Sequence, residues 1–187
     1  MATPMLAGLL KVAATDPKLK GLVANVGQDL HITGIDQARP WALGTLAHHA
    51  PVLAVTATSR EAEDLTAELT AMMGDKVAMF PSWETLPHER LSPGVDIIGK
   101  RAQVLHNIDD LRIIVTAARG LSQPILQDIE GRAPVHLEED HEYNFDDVVR
   151  SLEFRAYKHV DMVAKRGEFA TRGGIIDVFP TTLDYPV

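Results

Sequence analysis

The sequence predicts an α/β protein built on a parallel sheet, followed by a smaller α+β unit. Three observations predict this. Short apolar, β-branched runs (Val52–Thr56, Val77–Phe80 and Arg112–Thr116) alternate with segments of helical apolar spacing, and parallel neighbours need the crossovers that helices supply. The alternation breaks over residues 120–134, and the remainder of the chain reads as a strand, a helix and a hairpin, which places a domain boundary at about residue 125, between 1–124 and 125–187. The 187 residues are 45% hydrophobic, enough for a core in each part.

The first 27 residues read as a helical extension: Leu6, Leu9, Leu10 and Ala13 recur at helical spacing, as do Leu19, Leu22, Val23 and Val26, with Thr15-Asp16-Pro17 between. Leu30–Ile32 is expected as a strand ended by Thr33-Gly34, and a helix over 38–49 is stopped by Pro51. Val52–Thr56 is apolar at consecutive positions, the pattern of a strand covered on both faces. Thr58-Ser59-Arg60-Glu61 spells a capping box opening a helix with Ala62, Leu65, Leu69 and Met72 on one face, and Gly74 ends it. Ile98, Ala102, Leu105 and Ile108 line a helix before the strand Arg112–Thr116. Past the break come a strand at Val135–Leu137, an amphipathic helix at Phe145–Phe154 and a hairpin within Tyr157–Phe179.

Composition and charge exclude several function classes. The chain has no Cys, so there is no disulfide framework, thiolate metal site or thiol nucleophile. No apolar run reaches membrane-spanning length and the start lacks the flank of a signal peptide, so the expected location is the cytoplasm. The net charge of −8 opposes free nucleic-acid binding. That charge is uneven. Residues 128–147 carry −7, and residues 148–172 carry +3 through Arg150, Arg155, Lys158, Lys165, Arg166 and Arg172 against three acids.

A phosphate site in such a fold belongs at the first strand-to-helix turn. Here that turn is Gly34-Ile35-Asp36-Gln37-Ala38-Arg39-Pro40-Trp41, and a Walker A loop begun at Gly34 would need Gly, Lys and a hydroxyl where Arg39, Pro40 and Trp41 stand. Pro40 removes an amide donor and Asp36 adds a repelling charge. The adjacent His48 and His49, and His136 with His141, lack the spacing of helical zinc ligands. Ser82, Ser92 and Ser122 lack a nucleophile-elbow context. No catalytic residue, cofactor or metal is expected.

Two segments are more informative. The first, FPSWETLPHERLSPGVDIIGKR, starts at Phe80 as a proline-punctuated loop whose Trp83 is expected against the sheet edge. The second, GEFATRGGIIDVFP, starts at Gly167, which can turn a hairpin, while Gly173 and Gly174 allow a bulge or close backbone approach. The first resembles the aromatic-Pro-x-WETLP…SP…DII…R signature of the bacterial transcription-repair coupling factor family, and the second its GEY/FATRGG…D…FP hairpin. The second is also similar to the excision-repair protein UvrB. That protein has an intact P-loop and a tyrosine-rich clamping hairpin, both of which this chain lacks.

The resemblance implies a P-loop-NTPase-like first domain (UvrB domain 1a-like) with a degenerate nucleotide site at Gly34, Arg39 and Pro40. It implies a second, UvrB domain 2-like domain, incomplete at Val187, that docks UvrA. By the same resemblance, RNA polymerase and DNA are engaged by other regions of the family's longer chains, and a C-terminal domain masks the UvrA surface at rest. The residues implied for UvrA docking are Lys158, His159, Arg166 and Arg172, with Phe169 either an aromatic anchor or a core residue. Where UvrB has further arginines this chain has Ala170 and His159. The competing expectation is a nucleotide-hydrolysing repair helicase fragment of the UvrB type.

Overall fold

A computed structural model of the chain describes residues 4–85, 93–125 and 135–187. The centre of the proline-rich loop and the acidic residues Asp128 and Glu130 lie outside the described residues. The chain forms two compact units, Met1–Ser82 with Asn107–Gln123 and Trp83–His106 with Pro124–Val187. They do not follow a single cut near residue 125, because the segment 83–106 groups with the C-terminal residues.

The first unit holds a parallel three-stranded sheet, β1 (Val52–Thr56), β2 (Val77–Met79) and β3 (Ile113–Ala117), in the order β1-β3-β2. Val52 pairs with Ile113 and Thr56 with Ala117 on one side of β3, and Val77 with Ile113 on the other. The central strand is the core: Ile113 and Val115 have no exposed surface. Helices α1 (Ala7–Ala13), α2 (Pro17–Ala24), α3 (Arg39–Ala47), α4 (Ser59–Met73) and the single turn α6 (Ala118–Leu121) complete this unit. The fully buried Leu69 and Ala62 seat α4 on the sheet. Thr58 Oγ1 accepts from the Glu61 N–H at 3.2 Å, and the Glu61 carboxylate reaches back to the Ala57 N–H at 3.3 Å, one residue before the position a strict capping box uses. Asp16 caps α2 through the Lys18 and Leu19 N–H groups, with Pro17 at the first turn.

Three expectations for strands are corrected. Leu30–Ile32 is not in the sheet: it lacks a ladder partner among the described residues, and Leu30 and Ile32 are about half exposed. Three alternating residues are too short a signal to fix a strand's partner. Val135–Leu137 likewise has no strand pairing among the described residues. The run Val52–Thr56 does form a strand, but as an edge strand with Leu53 and Val55 about half exposed, so only one of its faces is covered among the described residues. An apolar run reports what can be buried on two faces, and the cover must come from elsewhere.

The second unit holds α5 (Val95–His106), α7 (Phe145–Phe154) and a sheet of β4 (Lys158–His159), β5 (Glu168–Arg172) and β6 (Ile175–Phe179), in that order. Helix α7 has the expected bounds, and its N-cap Asn144 accepts from the Asp147 N–H at 3.1 Å. β5 and β6 form the hairpin, and the pair Arg172↔Ile175 leaves a two-residue loop, Gly173-Gly174. Gly173 has φ +61°, a positive value at the first loop position that glycine supplies without strain. The hairpin turn is therefore at Gly173, and Gly167 stands where the chain enters β5.

Helix α5, whose place in the sequence suggests a crossover on the first sheet, belongs instead to this unit. A Cβ on Gly99 would meet Thr181 Oγ1 at 2.1 Å, and one on Gly167, at φ +80°, would meet Val95 at 3.0 Å. The two motif segments thus lie against each other where glycine leaves room. Trp83 lies under a guanidinium: Arg101, buried on α5, sits 5.1 Å over its ring and donates to Pro124 O at 3.2 Å. Burial lowers the Arg101 pKa from its ordinary value, yet a guanidinium stays charged at neutral pH.

Candidate protein-interaction surface

β4 runs parallel to β5, with Lys158 opposite Glu168 and His159 opposite Phe169. Side chains alternate along a strand. Lys158, Glu168 and Arg172 therefore share one face of the small sheet, and His159, Phe169 and Thr171 the other. The contacts agree. The His159 and Phe169 rings stack at 4.5 Å with 6° between planes, and His159 Nε2 lies 3.0 Å from Thr171 Oγ1.

The five residues implied for docking thus take different positions. Arg172 is exposed beside the hairpin turn and enters no ion pair among the described residues. Lys158 is exposed on the edge strand. His159 is exposed but held by its ring and hydrogen-bond partners. Phe169 has no exposed surface, so of its two expected roles the structure takes the core one: it backs His159 and presents nothing to a partner. Arg166 is spent within the chain. Its Nε donates to Leu183 O at 2.7 Å, its Nη2 pairs with Asp184, and its guanidinium lies 5.5 Å over the Phe179 ring, which fastens the C-terminal residues to the sheet.

Glu168 organises the loop before β5. Its carboxylate accepts from the Ala164 N–H at 3.0 Å and the Lys165 N–H at 2.8 Å, and these bonds, then the nearby Lys158 and Lys165 charges, hold its pKa below the ordinary carboxylate value. Ile175 is a surface residue that the sequence motifs do not single out: it pairs with Arg172 across the hairpin and is 64% exposed. Its place directly after Gly173-Gly174 is the available signal, since residues flanking a two-residue loop pair with each other.

The Gly34 turn offers no second site. No strand precedes it among the described residues; a 3₁₀ turn, Asp36–Ala38, leads into α3, which has no side-chain cap. Arg39 pairs with Asp36 at 3.2 Å, which holds a carboxylate at this turn, and Pro40 has no N–H to donate. Among the described residues no three His, Asp or Glu side chains gather to hold a metal ion, and no helix is long and apolar enough to cross a membrane.

A family model described as the UvrB interaction domain matches residues 135–187, the stretch that carries α7 and the small sheet. The chain is 45% identical to the transcription-repair-coupling factor of Mycobacterium bovis over 99% of its own length, which is 16% of that relative. It is 29% identical to the Escherichia coli factor over 74% of the chain and 12% of the relative, and 31% identical to that of Haemophilus influenzae over 67% and 11%. The chain thus spans about a sixth or less of the length of these relatives. With a UvrB interaction domain at residues 135–187 and this likeness along nearly all of its length, the chain belongs to the transcription-repair-coupling factor family, of which it represents one segment.

Proposed function

We propose that this chain is a non-catalytic docking module that recruits the damage-recognition protein UvrA in transcription-coupled nucleotide excision repair. The observation that carries the reading is Arg172: exposed at the hairpin turn without an ion pair among the described residues, inside the stretch matched by the UvrB interaction domain. Lys158 extends its face, and Ile175 adds apolar area across the hairpin. An exposed arginine beside an apolar residue suits a partner that presents carboxylates around an apolar contact. Arg166 and Phe169 serve as supports, the first fixing the C-terminal residues and the second positioning His159.

The finer fold assignment belongs to the same proposal. The first unit is a P-loop-like domain whose nucleotide turn has lost its chemistry, and the second corresponds to UvrB domain 2. RNA polymerase and DNA are engaged by other parts of the longer protein, in the bacterial cytoplasm. The nucleotide-hydrolase reading gains no support from the Gly34 turn.

Isothermal titration of the folded chain with UvrA tests the proposal. The expected result is saturable binding at low micromolar concentration that weakens with salt, because the contacts are charged and solvent-edged. Absence of binding with the chain folded contradicts it, and saturable magnesium-ATP binding would revive the hydrolase reading.

A further inference from the structure

The first unit carries a pocket that the docking surface leaves unused. It has a volume of about 320 Å³ and is formed by Pro4, Ala7 and Leu10 on one side and Ala47, Met72 and Met73 on the other. Four basic side chains also line it: Lys11 in the last turn of α1, His48 just past α3, Lys76 before β2 and Arg112 before β3. No acidic residue lines it among the described residues. Lys11, Lys76 and Arg112 are exposed and enter no ion pair among the described residues.

The walls are fixed by the backbone. The Arg112 N–H donates to Lys76 O at 2.8 Å, which sets these two cations side by side just before neighbouring strands, and the Leu6 N–H donates to Ala71 O at 2.9 Å, which ties the N-terminal segment to α4. A Cβ on Gly74, at φ +65°, would meet the Pro4 ring at 3.1 Å, so Pro4 closes over the end of α4. α3 and α4 both end at the pocket, and their C-terminal dipoles contribute about −1 in total. Three lysine and arginine charges exceed that, so the pocket keeps a net positive potential.

We propose that this pocket docks an acidic-apolar peptide segment of a partner protein. One bulky apolar side chain of that segment sits on Leu10, Ala47, Met72 and Met73, and flanking carboxylates pair with Lys11, Lys76 and Arg112. The volume equals that of about ten waters, room for one large side chain and adjoining backbone. Methionine pairs adapt to the shape of a peptide side chain. Three cations from three elements call for more carboxylates than a single-headed fatty anion carries. A nucleic-acid backbone has no apolar group for the floor.

The test is fluorescence polarisation of the whole chain with fluorescein-labelled Glu-Asp-Leu-Phe-Glu-Asp at low salt. The expected result is saturable binding on the order of 10–100 μM, weakened at least tenfold by Lys76→Glu with Arg112→Glu, and equally by Ser-Ser for Leu-Phe in the peptide. Lys11→Glu, on a separate element, is expected to weaken it severalfold, with circular dichroism showing every variant folded. UvrA affinity is expected to stay unchanged in these variants, which separates this site from the hairpin surface. Lack of saturation by about 1 mM peptide overturns the proposal, as does binding indifferent to both charge-reversal variants. Decanoate or an oligo-dT strand competing as well as unlabelled peptide also overturns it, in favour of a lipid-like anion or a nucleic acid.

Discussion

Gly99→Ala tests whether α5 lies against the C-terminal segment, the least expected feature of the fold. Alanine inside a helix is ordinarily about 1 kcal/mol more favourable than glycine. Here the new Cβ would stand 2.1 Å from Thr181 Oγ1 and 2.4 Å from Thr181 Cβ, too close for any rotamer change to relieve fully, since a Cβ does not move with χ1. Overpacking of this kind costs about 1–3 kcal/mol. The net effect expected is therefore a loss of zero to about 2 kcal/mol instead of a gain of about 1 kcal/mol. Urea unfolding followed by circular dichroism measures it, and Thr181→Gly supplies the control by removing the obstructing atoms. In that background Gly99→Ala is expected to stabilise by the full helix-propensity difference, which gives the two sites a coupling of about 1–3 kcal/mol. A gain of about 1 kcal/mol from Gly99→Ala in the unaltered chain would refute the packing.

Three further outcomes rest on local structure. Thr58→Ala removes the α4 cap and is expected to cost about 0.5–2 kcal/mol in urea unfolding, with Thr58→Ser close to neutral. Leu69→Ala opens a cavity under α4 at a site with no exposed surface, and should cost about 2–5 kcal/mol. Glu168 has its folded pKa depressed, so its contribution is present above the ordinary value of 4.5 and lost as pH falls through the lower folded value. Glu168→Gln should therefore remove the fall in stability between 4.5 and that lower folded value and leave the neutral-pH slope unchanged, as read by thermal melts across the acid range.

The parts of the fold written in local signals were legible in the sequence. Thr58 and Glu61 announce α4, the amphipathic spacing over 145–154 announces α7, and the runs at 52–56 and 112–116 become neighbouring parallel strands because each is apolar enough to sit beside the other. What escaped is partner choice between distant segments. Ile98, Ala102 and Leu105 fix a helical face for α5 but not the surface it meets, and only Gly99 against Thr181 and Gly167 against Val95 reveal it. The docking residues divide in the same way. Arg172 beside two glycines reads as exposed and is, whereas Arg166 is absorbed by Asp184 and Leu183, a pairing across seventeen or more positions that no local pattern specifies. The burial of Phe169 can be inferred from strand alternation only once β4 is known to lie alongside it.

The most direct test of the docking surface compares UvrA binding by the unaltered chain, by Arg172→Ala and by Arg60→Ala, an exposed arginine on α4 in the other unit. If UvrA docks on the hairpin surface, Arg172→Ala weakens binding about 10- to 30-fold, or about 1.4–2 kcal/mol, while Arg60→Ala stays within about twofold. Equal affinities for all three chains would contradict the assignment of that surface.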